Sequence, residues 1–203
     1  MLIISLVQLY YNIGRILEEN SRWRNKFIDS IANDNEFVQL VAQIPWKHNI
    51  ILIQKIKEQK PDIILVPGDM IVSRYPETYE TAYQTFEKLT EIAPVYFSNG
   101  NHESRVSKVP VMQTEAFLEY ENRVRKLGVH ILNNASEEVI LHGGKFCISG
   151  LEIPLECYGK GSYEPLPEHF IQEALGEAKK DAVQILLAHN PMFAKEYADW
   201  GAD

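Results

Sequence analysis

The sequence predicts an α/β fold, with α+β character in its second half, in which helices cover the outside of a layered sheet structure. Helix-like and strand-like segments alternate from residue 49 to about residue 127, and strand-like segments then follow one another up to residue 151. The continuous apolar run Ile63–Val66 is typical of a strand that is buried on both faces, and the apolar segments Val95–Phe97 and Val183–Ala188 are predicted as further strands. This order of elements favours sheets that are covered by helices.

Helical spacing of apolar residues predicts four helices. The first begins near residue 50 and ends at Lys60-Pro61, because a proline disfavours helical backbone at the residue before it. The third ends at Gly128, a typical C-terminal capping residue. The other apolar helical faces contain Tyr79, Ala82, Tyr83 and Phe86 in the second helix, Phe117, Tyr120, Val124 and Leu127 in the third, and Phe170, Ile171, Ala174, Leu175 and Ala178 in a fourth helix over roughly Glu168 to Lys179.

Three strands are predicted after the third helix. They span Val129–Leu132, Val139–Leu141 and Lys145–Leu151, and turn-forming residues separate them at positions 133–134 and 142–144. Residues 1–48 show no regular apolar period, so we interpret them as an atypical N-terminal segment. Residues 49–203 form the predicted domain.

The composition is typical of a soluble globular protein with one domain, because 45% of the 203 residues are hydrophobic and 24% are charged. The formal net charge is −8, so we expect no binding to nucleic acid through charge. The two cysteines, Cys147 and Cys157, are predicted to be free thiols in a reducing compartment.

The longest apolar run, Met1 to Tyr11, is shorter than the roughly 18 residues that span a bilayer, and it lacks the basic start of a signal peptide. We therefore expect no transmembrane segment and a cytoplasmic location. A peripheral membrane association through the N-terminus stays open as an addition to this prediction.

A polar cluster follows each of the three apolar segments that are predicted as buried strands. Pro67-Gly68-Asp69 follows the first, Gly100-Asn101-His102-Glu103 comes shortly after the second, and His189 follows the third. Ligands of open α/β sheets bind beyond the carboxyl ends of the strands, so we expect these side chains to share one edge. Glycine before Asp69 and before Asn101 permits the tight turns that this arrangement needs.

A carboxylate, an amide oxygen and an imidazole together suit a borderline divalent metal such as Mn, Fe, Zn or Ni. We predict Asp69, Asn101 and His189 as metal ligands, and Asp69 has two oxygens that could bridge two metals about 3.5–4 Å apart. His102 projects differently from its neighbour Asn101, so it is predicted as a catalytic proton donor rather than a ligand.

Structural interpretations of the same residues stay open at this point. Asp69 could cap the segment that follows it, and Asn101 could be a turn residue with positive φ. His102 could be a hydrogen-bonded structural histidine, and His189-Asn190-Pro191 could be a turn at the entry of a helix.

Gly68-Asp69-Met70 and Gly100-Asn101-His102-Glu103, with His189 at a later strand end, resemble the middle motifs of the calcineurin-like metallophosphoesterases, in particular the bacterial single-domain phosphohydrolases. The resemblance implies a four-layer αββα sandwich and hydrolysis of a phosphate ester or anhydride of a small phosphorylated substrate by a metal-activated hydroxide. It implies that Asp69 bridges two divalent metals and that Asn101 and His189 bind the second metal. His102 would protonate the leaving group or stabilise phosphoryl charge.

Two motifs of that family are absent. No Asp-x-His precedes Asp69, and no Gly-His-x-His follows His189. We therefore predict a domain that is truncated at both ends and has impaired activity. The alternatives are a catalytically inactive binding or scaffold domain and a non-functional gene fragment. The substrate, the metal and the oligomeric state are not determined by the sequence.

Overall fold

The computed structural model describes residues 3–5, 46–159 and 164–203, and it describes side chains within residues 52–159 and 164–203. In chain order, the elements are β1 (Ile3–Ser5), α1 (Trp46–Gln59), β2 (Ile63–Val66), α2 (Thr78–Thr90), β3 (Val95–Phe97), α3 (Asn101–Lys108), α4 (Glu115–Lys126), β4 (His130–Ile131), β5 (Ala135–Leu141), β6 (Gly144–Leu151), a 3₁₀ turn (Leu155–Tyr158), α5 (Phe170–Leu175), β7 (Val183–Ala188), a second 3₁₀ turn (Pro191–Phe193) and α6 (Ala194–Trp200).

The described strands form two sheets. Sheet one is parallel, with the order β1-β2-β3-β4. Sheet two has the order β5-β6-β7, in which β5 and β6 form an antiparallel hairpin and β6 and β7 are parallel. The hairpin turn uses positive φ at His142 and Gly143, as a two-residue turn between twisted strands requires.

The two sheets pack face to face, and helices cover both outer faces. Because strand side chains alternate between faces, Ile63 and Leu65 of β2 point into the cluster between the sheets, whereas Ile64 and Val66 point into the cluster under the helices. A third cluster lies between sheet two and the helices α5 and α6. This arrangement of helix, sheet, sheet and helix confirms the predicted αββα fold class.

Backbone segments of the two sheets approach closely at Gly150. A Cβ at this position would lie 1.8 Å from the carbonyl oxygen of Leu132, well inside van der Waals contact. Only glycine therefore permits the observed spacing of the sheets near their carboxyl edge.

The structure confirms the predicted helices and strands after residue 49, with three differences. Helix α5 is shorter than the segment from Glu168 to Lys179, because Gly176, with a φ of 75°, ends it. Strand β5 begins at Ala135, where its alternating exposed residues gave no apolar run. Helices α3 and α6 were not predicted, because α3 is mainly polar and α6 is only seven residues long.

Most of the segment 1–48, predicted to be atypical, lies outside the described residues. Within it, Ile3–Ser5 pair with β2 as a strand, which the sequence pattern did not indicate. Among the helices that the structure describes, none has the length and apolar character needed to cross a membrane.

Candidate metal centre

The structure brings the predicted site residues together at one edge. Asp69 follows β2, Asn101 and His102 begin α3 after β3, and His189 follows β7. The Nε2 atom of His189 lies 3.0 Å from Oδ2 of Asp69, and the backbone N–H of His102 donates to Oδ1 of Asp69 at 3.1 Å. Asn101 and His189 both line a cavity of about 260 Å³, together with Tyr158.

The loop that carries Asp69 has a left-handed backbone. Gly68 has a φ of 103° and Asp69 a φ of 57°, and an aspartate tolerates this region better than most residues. A Cβ on Gly68 would lie 2.2 Å from the backbone nitrogen of Gly100, so the two loops touch backbone to backbone. This contact explains why both clusters contain a glycine directly before the polar residue.

Glu103 holds the two loops together through four backbone N–H groups. Its Oε1 accepts from Met70 at 2.7 Å and from Ile71 at 3.1 Å, and its Oε2 accepts from Asp69 at 2.9 Å and from Gly100 at 3.0 Å. The residue is 1% exposed. Burial and the negative charge of Asp69 raise the pKa of Glu103 to about 7, against the opposing effect of these N–H donors. Glu103 therefore sets the conformation of the loop rather than contacting a ligand.

The hydrogen bonds of His189 favour a metal-binding tautomer. A carbonyl oxygen can only accept, so Nδ1–H of His189 donates to the carbonyl of Pro67 at 3.0 Å. In the neutral ring, Nε2 then has a free lone pair that points toward Asp69. Histidines that bind metals commonly orient their rings in this way.

His102 has the opposite tautomer. The backbone N–H of Ser73 can only donate, and it lies 3.0 Å from Nδ1 of His102, so the proton of the neutral ring is on Nε2. Burial lowers the pKa of His102, and Arg105 and His189 add to this effect, whereas Asp69 opposes it. The ring is therefore held neutral with Nε2–H as its free donor.

Asp69 and His189 form a charge pair when no metal is bound. Burial alone raises the pKa of Asp69, but hydrogen bonding and the charge of His189 outweigh this effect, so the net shift is downward. Burial alone lowers the pKa of His189, but the hydrogen bond and charge of Asp69 raise it above its usual value. A proton on Nε2 of His189 thus occupies the position that a cation would take.

The chemistry and spacing of these atoms fit a divalent ion. In octahedral coordination, two neighbouring ligand atoms that are each about 2.1 Å from the ion lie about 3.0 Å apart. This is the spacing of Oδ2 of Asp69 and Nε2 of His189. Within the part of the chain that the structure describes, no three His, Cys, Asp or Glu side chains group as a complete metal site. The candidate centre is thus a carboxylate–imidazole pair with Asn101 beside it.

Two structural interpretations of the sequence hold in part, namely Asp69 as a cap and His189-Asn190-Pro191 as a turn at the entry of a helix. Asp69 does accept an N–H bond at a helix start, but the helix is α3 and not the segment that follows it. Asn190 caps the 3₁₀ turn after His189, since its Oδ1 accepts from the N–H of Met192 at 3.0 Å. The entry turn therefore uses Asn190, and the ring of His189 is free to face Asp69.

The sequence pattern did not assign roles to Glu103, Ser73 or Glu152. Glu103 is the third residue after a glycine N-cap, so the spacing of a capping box would have indicated it. Glu152 directly follows the apolar end of β6, which is the same signal that identified His189. Ser73 acts through its backbone N–H, and no sequence signal reports such a contact.

The sequence of the chain is similar to those of known proteins. A model of the calcineurin-like phosphoesterase family matches residues 31–203, so the chain belongs to this family. The chain is also 30% identical over 144 residues to "Putative metallophosphoesterase F40B5.2" from Caenorhabditis elegans. That match covers 71% of this chain and 27% of the relative, so the chain spans about a quarter of the relative's length. Family membership supports a metal-dependent phosphoesterase in general.

Proposed function

We propose that this chain binds a divalent metal through Asp69, Asn101 and His189 and hydrolyses a phosphate ester or anhydride of a small phosphorylated substrate. The observation that carries the proposal is the geometry of His189. Its Nδ1–H is held by the carbonyl of Pro67, and its Nε2 lies 3.0 Å from Oδ2 of Asp69. Mn, Fe, Zn and Ni all suit this set of donors.

When bound, the metal supplies Lewis acidity and lowers the pKa of the attacking water. The residues of the chain would hold the metal and orient the substrate beside the metal. The Oδ1 atom of Asp69 stays fixed to the N–H of His102, which orients Oδ2 toward the metal position. Glu103 holds the peptide of Asp69 in its left-handed conformation through the N–H bonds described above.

We propose that His102 donates Nε2–H to an oxygen of the phosphoryl group or of the leaving group. The sequence left two roles open, protonation of the leaving group and stabilisation of charge. Because Ser73 fixes the neutral tautomer, hydrogen-bond donation to developing negative charge is the role that this geometry favours.

The first metal of the family site lacks its Asp-x-His and Gly-His-x-His ligands in this chain. We therefore propose one incomplete metal position and impaired turnover by the chain alone. A cytoplasmic location belongs to the same proposal. An inactive binding or scaffold domain and a non-functional fragment are the competing outcomes.

The test is hydrolysis of an aryl phosphate with added Mn²⁺. We expect metal-dependent turnover that is lost in Asp69→Ala and in His102→Ala. The matched control is His169→Asn, which changes an exposed histidine with a φ of 62°, a conformation that asparagine also adopts. Equal rates in Asp69→Ala and in the control would refute the proposal. A stable chain that binds no metal supports the scaffold, and aggregation supports the fragment.

A further inference from the structure

The candidate ligands come from two different sheets. Asp69 and Asn101 follow strands of sheet one, and His189 follows β7 of sheet two. A metal centre needs its ligand atoms within a few tenths of an ångström of their positions. Some contact must therefore fix the carboxyl edge of sheet two against that of sheet one.

Glu152 lies where this contact is needed. Leu151 and Ala188 are register partners in the parallel strands β6 and β7, so Glu152 and His189 are the next residues of neighbouring strands. Glu152 is 7% exposed, although it carries a carboxylate. A charged group is buried to this extent only when partners satisfy it.

Three side chains contact the carboxylate of Glu152. All three lie in residues 99–108, the segment after β3 that contains Asn101 and His102. Its Oε1 accepts from Nδ2 of Asn99 at 3.1 Å and from Oγ of Ser104 at 2.6 Å. Its Oε2 pairs with Nζ of Lys108 at 3.1 Å. One carboxylate thus joins the end of β6 to the middle and the C-terminal end of α3 and to the residue two positions before Asn101.

Two asparagine side chains in the connection between β4 and β5 complete the link. Oδ1 of Asn134 accepts from the N–H of Glu152 at 2.8 Å, and Oδ1 of Asn133 accepts from the N–H of Asn99 at 3.0 Å. The same edge contains the close approach of Gly150 to Leu132. The two sheets are therefore joined at this edge by directed hydrogen bonds as well as by apolar packing.

We infer that Glu152 is a positioning residue that holds the carboxyl edge of sheet two so that His189 reaches Asp69 and Pro67. The inference rests on the proposed function for its link to a metal. Its structural part concerns the metal-free chain and is tested there. Partners outside the ligand set commonly change metal affinity by about 10–100-fold when they are removed.

The first measurement is the NMR signal of Nδ1–H of His189 in the metal-free chain. In the unaltered chain we expect a signal that exchanges slowly with water, because the carbonyl of Pro67 holds this proton. Glu152→Ala should lose the signal or exchange it much faster. The control Ile148→Val removes a methylene from a fully buried side chain in the cluster between the sheets and leaves the hydrogen-bonding groups of Glu152 and its partners unchanged, so it should keep the signal.

The second measurement is Mn²⁺ affinity, followed by electron paramagnetic resonance. Glu152→Ala should bind Mn²⁺ about tenfold more weakly, with reduced nitrogen coupling from His189. Ser104→Ala, which removes one hydrogen bond from a buried site, should shift both readouts in the same direction by less. If Glu152→Ala does not fold, Ser104→Ala decides the matter.

An unchanged His189 signal in Glu152→Ala would overturn the inference, and so would an equal loss in Ile148→Val, because the effect would then be general destabilisation. Failure of the unaltered chain to bind Mn²⁺ would instead refute the proposed function. In that case, a His189 signal that is lost only with Glu152 would still support the positioning role.

Discussion

Replacing Glu103 with alanine removes the acceptor for four backbone N–H groups at once. These belong to Asp69, Met70, Ile71 and Gly100, and their distances to the carboxylate lie between 2.7 and 3.1 Å. The site is buried, so water replaces these bonds only in part. At about 1 kcal/mol for each N–H, Glu103→Ala should lower the free energy of unfolding by about 4 kcal/mol.

Urea denaturation measures this loss. With an m value of about 2 kcal/mol/M, the midpoint should move down by about 2 M. The control is Glu119→Ala, an exposed glutamate on α4, which should change the free energy of unfolding by less than about 0.5 kcal/mol. Amide hydrogen exchange should accelerate at residues 69–71 in Glu103→Ala and not in the control. A midpoint shift below about 0.5 M, with unchanged exchange at these amides, would refute the role assigned to Glu103.

Three other predictions concern the Asp69–His189 pair, the close approach of Gly150 to Leu132, and Phe86 in the hydrophobic core. Under the proposed function, a metal must displace the proton that Asp69 stabilises on His189, so Mn²⁺ affinity should rise with pH through the raised pKa of His189 and level off above that pKa. A flat calorimetric profile would contradict this. Gly150→Ala places a methyl group 1.8 Å from the carbonyl of Leu132 and should cost at least about 3 kcal/mol in thermal unfolding, unlike the control Glu119→Ala at an exposed helix position. Phe86→Ala empties a fully buried site and should cost about 3–5 kcal/mol by the same assay, and a loss below about 1 kcal/mol would mean that the core is not packed as described.

The fold was predictable where burial is two-sided. Ile63–Val66 is an unbroken apolar run that is buried throughout, and the structure places a strand with these bounds. Helix α3 was not predictable in this way, because its start depends on Asp69, which is distant in sequence, and its few apolar residues give no periodic signal. The short strand Ile3–Ser5 depends equally on pairing with β2.

The sequence predicts which site residues follow the ends of strands, but it does not predict their hydrogen-bond partners. The rule that ligands collect beyond the carboxyl ends of strands predicts that Asp69 and His189 lie at the same edge. The ring orientation of His189 depends on a carbonyl 122 residues earlier, and the role of Glu152 depends on Asn99, 53 residues earlier. Contacts of such range follow from sheet packing, which a local pattern does not encode.

The hydrogen bond from His189 to Pro67 also determines when during biosynthesis the site is completed. A ribosome adds about 5–20 residues per second, so the loop after β2 is made on the order of 10 seconds before its imidazole partner. During that interval the nascent chain has the carboxylate of Asp69 without the ring that faces it. Under the proposed function, full-affinity capture of a cation would therefore follow the docking of β7.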